Sequence, residues 1–78
     1  MSDYQPISCD LHSEYEVAIM HGRKLLLTHT TDSENQKTER ITPTDLRTEN
    51  HEEFLLGTDH HGLPIKIRLD RIINFDVI

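Results

Sequence analysis

The chain has 78 residues, and its 8 Lys and Arg against 14 Asp and Glu give a formal net charge of −6. A chain of this length forms one domain with a small core, which leaves little room for an enclosed active site. The negative charge argues against direct nucleic-acid binding, because such binding depends on Lys and Arg that neutralise phosphates. A single cysteine and the lack of a long apolar run lead us to expect a cytoplasmic protein that does not bind membranes.

Residues 10–21 are predicted to form the helix of the chain, after a partly mobile N-terminus over residues 1–8. Apolar side chains recur there with the spacing of one helix face, namely Leu11, Tyr15, Ala18 and Ile19. Ser8 or Asp10 is expected to cap the start, and Gly22 stands where a left-handed glycine ends a helix. Twelve or so residues do not form a stable helix alone in water, so this helix must pack on the rest of the domain.

After Gly22 the apolar residues follow the period of two that is typical of strands. Strands are predicted over residues 24–31, 37–42, 53–58, 63–69 and 73–78, with a short extended piece at 45–48 and turns at 32–36 and 59–62. Pro43 is expected to end the second strand, because proline cannot donate a ladder hydrogen bond. Residues 1–78 are thus one mainly-β domain, with residues 23–78 closing into a small barrel that has few exposed edges.

Two-thirds of the net charge lies in the first 22 residues. That segment contains Asp3, Asp10, Glu14 and Glu16 and no Lys or Arg, which gives −4. One interpretation is a solvated helix face whose acids lie near the positive end of the helix dipole. The other is an acidic surface that docks on a basic partner. The charge pattern alone favours the solvated face.

The pattern of potentially reactive side chains does not indicate an enzyme. The six histidines show no metal-ligand spacing, and Cys9 has no second thiol nearby. There is also no nucleophile elbow and no glycine-rich phosphate loop. We therefore expect no catalysis, no metal and no cofactor.

Direct RNA binding by a small barrel is the main alternative. Lys66, Arg68 and Arg71 lie close together in the sequence, which would suit a phosphate backbone. The competing interpretation is that they pair across strands with acids such as Glu53, Asp59 or Asp70. Stacking aromatics are also scarce, since Phe54 and Phe75 are expected in the core.

The order of motifs resembles the Rof family of bacterial Rho-binding antiterminators. The motifs are Tyr4-Gln5-Pro6-Ile7-Ser8-Cys9-Asp10, an acidic helix, Thr44-Asp45-Leu46, and Ile67-Arg68-Leu69-Asp70-Arg71-Ile72 with Phe75. The resemblance covers about residues 4–76. It implies a small Sm-like barrel of about five antiparallel strands with one N-terminal helix, and a non-enzymatic role in transcription regulation. The implied partner is Rho, a hexameric RNA helicase whose N-terminal domain captures RNA at a basic primary site.

The resemblance also suggests which residues bind the partner. Asp10 matches the Cys-Asp position of the family motif and Glu16 matches an acid of its helix, whereas Glu14 has no firm match. Leu11 stands where the family has an acid, and Glu49-Asn50-His51 departs from a more basic stretch. The predicted partner-binding residues are Asp10, Glu14 and Glu16, which would compete with RNA for the basic site. Cys9 is expected to be a small buried hydrophobe, and Arg68 and Asp70 to fix the end of a strand.

Overall fold

The computed structural model describes residues 4–31 and 33–78 and places them in one helix and one five-stranded sheet. The elements are α1 Cys9–Met20, β1 Leu25–Thr30, β2 Gln36–Glu49, β3 Glu52–Asp59, β4 Pro64–Arg68 and β5 Ile72–Val77, with a 3-10 turn at Leu69–Arg71. All paired strands are antiparallel, and their order in the sheet is β4-β3-β2-β1-β5. The predicted fold class is confirmed in its architecture, because the chain is mainly β, with five antiparallel strands in one sheet and one N-terminal helix, as in a small barrel.

Helix α1 begins and ends where local chemistry dictates. The Ser8 hydroxyl accepts a hydrogen bond from the Leu11 N–H at 3.2 Å, so Ser8 is the N-cap. At the other end Gly22 has φ +62°, and the Arg23 N–H donates to the Ala18 carbonyl at 2.9 Å. Both signals were present in the sequence, and the predicted bounds differ from the observed ones by one residue at each end.

The N-terminal segment before the helix is attached to the barrel. The Gln5 N–H donates to Asp70 Oδ2 at 3.0 Å, and Ile7 packs against the core. The Tyr4 ring lies 5.9 Å from the Arg68 guanidinium carbon. The predicted mobility of residues 1–8 stays a prediction, and residues 1–3 lie outside the described part of the chain.

Strand β2 corrects the prediction that Pro43 ends a strand. The strand continues through Pro43, so the pieces predicted at 37–42 and 45–48 are one element. Strand β1 pairs with β2 only as far as Ile41, and beyond that point β2 pairs with β3 alone. The N–H that proline lacks is therefore not needed by β1, and a register shift between Pro43 and Asp45 absorbs the irregularity. Gly57 lies opposite Pro43, where a Cβ would overlap the Thr42 carbonyl.

One apolar layer holds the helix to the sheet. Its buried members come from α1, from the first four strands and from the 3-10 turn, and they are Tyr15, Ala18, Leu25, Leu27, Ile41, Leu55, Ile67 and Leu69. The Tyr15 and Phe75 rings are 4.9 Å apart, so Phe75 belongs to this layer as predicted. Phe54 does not, because it is half-buried under the Lys66 ammonium, 4.4 Å from the ring centre.

Two tight turns set the register of the hairpins. Asn50 and His51 join β2 to β3 with φ angles of +51° and +67°, as a two-residue hairpin of the primed type requires. Between β3 and β4, Asp59 Oδ1 accepts hydrogen bonds from the N–H groups of His61 and Leu63 at 2.9 and 3.0 Å. The predicted turn at 59–62 is therefore confirmed.

Candidate partner-binding surface on the N-terminal helix

The three predicted partner-binding acids, Asp10, Glu14 and Glu16, are all exposed on α1. At about 100° per residue, Glu14 lies about 40° around the helix from Asp10, and Glu16 lies about 160° from Glu14. The structure thus brings Asp10 and Glu14 together on one flank of the helix. Glu16 lies on the other flank, so the three acids surround the exposed helix face and do not form one cluster.

The Glu16 flank is tied to the sheet by a histidine. His12 Nδ1 lies 2.9 Å from Glu16 Oε1, and His12 Nε2 lies 3.0 Å from Glu53 Oε2 on β3. Glu16, Asp45 and Glu53 line an open groove of about 470 Å³ between α1 and the second half of β2. Residues distant in sequence therefore add two carboxylates to this side of the surface.

The Asp10 and Glu14 flank faces β5. Glu14 and Asp76 line a second groove, of about 360 Å³, whose floor contains Tyr15 and Phe75. The pKa of the buried Tyr15 is raised to about 12, mainly by burial and secondly by the nearby negative charge of Glu14. Acidic side chains thus border α1 on both sides.

Two apolar side chains between the acids were not predicted as part of the site. Val17 is 52% exposed and Met20 is 76% exposed, three residues apart on the solvent side of α1. A signal for them exists in the sequence, because neither residue falls on the apolar face of Leu11, Tyr15, Ala18 and Ile19. An apolar centre with a charged rim is the usual organisation of a protein–protein interface.

The prediction that Cys9 is buried is wrong. Cys9 is the first residue of α1 and is exposed. Side chains in the first turn of a docked helix face the core only if they lie on its packed side, and that side begins at Leu11. The position of a residue within a motif does not determine its burial.

Two of the basic residues considered for RNA binding, Arg68 and Lys66, are engaged by acids of the same domain. Arg68 donates from Nε and Nη2 to Asp70 at 2.6 and 3.0 Å and from Nη1 to Glu52 at 2.8 Å. The Lys66 ammonium pairs with Glu49. The expected cross-strand pairing is thus present, with Glu49 and Glu52 in place of the predicted Glu53 and Asp59. The predicted structural role of Arg68 and Asp70 is confirmed, since their ion pair closes β4.

Two further features of residues 4–31 and 33–78 bear on function. No three His, Cys, Asp or Glu side chains among them are grouped so that they could hold a metal ion. Within the same residues, no helix combines the length and the hydropathy needed to cross a bilayer.

Comparison with known proteins shows similarity of fold and no similarity of sequence that would define a family. No protein-family model and no curated protein matches the sequence. Among solved structures, the chain is similar to part of proteasome accessory factor B/C (PafBC) of Arthrobacter aurescens, with a TM-score of 0.79 and 18% sequence identity over 96% of this chain. The chain spans 12% of that PafBC chain. This similarity is one of fold.

Proposed function

We propose that the protein is a non-enzymatic, cytoplasmic inhibitor of the transcription termination factor Rho. It binds the N-terminal RNA-binding region of Rho, the primary site, through the acidic surface of α1 and competes with RNA, so that transcription continues past Rho-dependent terminators. The observation that carries the proposal is the exposure of Asp10, Glu14 and Glu16 on one helix that begins with the Rof-like motif.

The chemistry of the surface supports this competition. A site that attracts phosphates also attracts carboxylates, so an acidic helix is steered toward it over roughly one Debye length, which is about 8 Å at physiological salt. Once the two surfaces are in contact, Val17 and Met20 supply apolar area at the centre of the acidic rim. The charged residues then govern the association rate, and the apolar residues govern the lifetime of the complex.

Competition is tested by titrating the protein into Rho that is already bound to a labelled C-rich oligonucleotide. We expect release of the oligonucleotide, with an apparent affinity for Rho that falls as salt is raised. Competition is excluded if the oligonucleotide stays bound at saturating protein and low salt. In that case a direct pull-down of Rho still shows whether the two proteins bind elsewhere.

The role of the helix is tested by charge reversal with a matched control. Asp10→Lys with Glu14→Lys is expected to weaken Rho binding at least about tenfold, because two favourable charge pairs become repulsive. For single changes, Glu14→Lys is compared with Glu34→Lys, since both residues are exposed and only Glu14 lies on α1. Equal affinity of these two single variants, with unchanged circular dichroism, would remove the helix from the interface.

An RNA-binding assay on the isolated protein distinguishes this proposal from the alternative, an Sm-like RNA-binding module. Because Lys66 and Arg68 are paired with Glu49, Glu52 and Asp70, we expect no RNA retention in a filter-binding assay at low salt. Salt-sensitive retention of RNA by the protein alone would favour the alternative.

A further inference from the structure

The two outer strands of the sheet differ in how their free edges are protected. Strand β4 begins with Pro64 and carries Lys66 at its centre, and both features discourage pairing with another chain. Strand β5 contains no Pro, Lys or Arg. Its Ile73 and Val77 side chains are 49% and 55% exposed. Unlike β4, the β5 edge therefore has no Pro or Lys that would discourage pairing, and Asp76 is its one charged residue.

The backbone of β5 also has donors and acceptors that face away from the sheet. Within the described residues β5 pairs only with β1, and the Ile78 N–H donates to the Lys24 carbonyl at 3.0 Å. Since N–H and C=O groups of successive residues point to opposite sides of an antiparallel strand, those of Phe75 and Val77 point away from β1. Ile73 stands at the register shift and has no Cα partner on β1. From Asn74 to Val77 the register is regular.

The sequence of β5 is symmetric in chemical class about Phe75. From residue 72 to residue 78 the order is Ile, Ile, Asn, Phe, Asp, Val, Ile. In an antiparallel pair with a two-fold axis through Phe75, Ile73 faces the partner's Val77, and Asn74 faces the partner's Asp76. Apolar residues then meet apolar residues, and no two like charges are directly opposite each other.

The same alignment covers apolar surface beside the strand. Val77 and Phe75 line a groove of about 650 Å³ against α1, together with Val17 and Ala18. Residues of one parity lie on one face of a sheet, so Ile73 of a second copy would lie next to Val77 at this groove. The pairing would thus form backbone hydrogen bonds between the two strands and also bury apolar side chains.

We propose that β5 is a self-association edge, on which a second copy of this chain pairs antiparallel about Phe75 to make a continuous ten-stranded sheet. The occupant is a second copy because the symmetry of the strand makes the edge complementary to itself. The two copies each carry −6, so association strengthens as salt screens their repulsion. The observations on β5 that carry this inference are separate from those that carry the proposed binding to Rho, although Val17 belongs to both surfaces.

The test is sedimentation of the full chain at increasing concentration and salt. We expect a species of twice the 9.1 kDa chain mass to grow with both. Ile73→Lys should weaken dimerisation about tenfold, since it removes two apolar cross-strand pairs. Leu63→Lys is the matched control, because Leu63 is 59% exposed outside the strands and the charge change is the same. A monomer at about 1 mM and high salt, or equal effects of the two variants, overturns the proposal.

The register is tested by two further variants. Asn74→Lys should strengthen dimerisation about threefold, because each new lysine faces the partner's Asp76. Asn74→Cys with Asp76→Cys, in a Cys9→Ser background, should give under oxidation a covalent dimer with disulfides between positions 74 and 76, which lie opposite each other in the pairing. Other linkages, or an Asn74→Lys variant that dimerises more weakly than wild type, show that the pairing about Phe75 is wrong.

Discussion

Removal of one hydroxyl group is expected to stabilise the protein. Tyr15 is 0% exposed, and its hydroxyl has no hydrogen-bond partner in the part of the chain that the structure describes. A buried polar group without a partner costs about 1–3 kcal/mol. Tyr15→Phe keeps the ring against Phe75 and removes that cost. We expect the free energy of unfolding to rise by about 1 kcal/mol and Tm by roughly 4–8 °C.

Tyr15 should also make the stability of the protein depend on pH in the alkaline range. Burial, and then the Glu14 charge, raise the pKa of Tyr15 from 10.0 to about 12. The unfolded chain releases this proton near pH 10 while the folded chain keeps it, so stability is intact below pH 10 and falls as pH rises toward 12. Between about pH 9 and pH 11 the loss due to Tyr15 is about 1 kcal/mol. Tyr15→Phe should lack this part of the loss.

Urea unfolding followed by circular dichroism at neutral and alkaline pH measures both effects. The matched control is Tyr4→Phe, because the Tyr4 hydroxyl lies against the backbone of Glu53, so its removal should bring no gain in stability. A Tyr15→Phe variant less stable than wild type by more than about 0.5 kcal/mol would show that the hydroxyl has a partner, and the reasoning would fail. It would fail equally if variant and wild type lost the same stability between the two pH values.

Two further predictions concern the backbone of the hairpins. His51→Gly should stabilise the protein by about 1 kcal/mol in the same urea assay, because His51 has φ +67°, where a side chain is strained. The control His60→Gly changes a turn residue that does not have a positive φ, so it should destabilise the protein, and a His60→Gly variant more stable than His51→Gly would contradict this account. Gly57→Ala should destabilise by about 2 kcal/mol or more, because its Cβ would overlap the Thr42 carbonyl opposite the bulge; a loss below about 0.5 kcal/mol would show that β2 shifts freely there.

Local signals predicted the helix and most of the strands. The period of Leu11, Tyr15, Ala18 and Ile19, with Ser8 and Gly22 at the ends, was enough for α1. The prediction failed at Pro43 because a proline ends a strand only where a neighbouring strand needs its missing N–H. That Ile41 is the last residue of β2 paired to β1 is a property of the assembled sheet.

The candidate site also combines features that the sequence predicted with features that depend on the fold. That Asp10, Glu14 and Glu16 are exposed follows from their positions on α1, which lie outside its apolar stripe. His12 contacts Glu16 four residues away, but its contact with Glu53 and the contact of Arg68 with Glu52 join residues 41 and 16 positions apart. The exposure of Cys9 also escaped prediction, because burial depends on what covers a side chain and spacing alone does not report it.

Strand β5 shows the boundary between the two kinds of information. The sequence by itself determined the symmetric order of residues about Phe75, the −6 charge and its concentration in the first 22 residues. Only the tertiary structure decided that this strand lies at an edge of the sheet and that carboxylates of β2, β3 and β5 lie beside α1. The physical reason is that periodicity and capping are set by neighbours along the chain, whereas edges, ion pairs and burial are set by elements that meet only when the barrel forms.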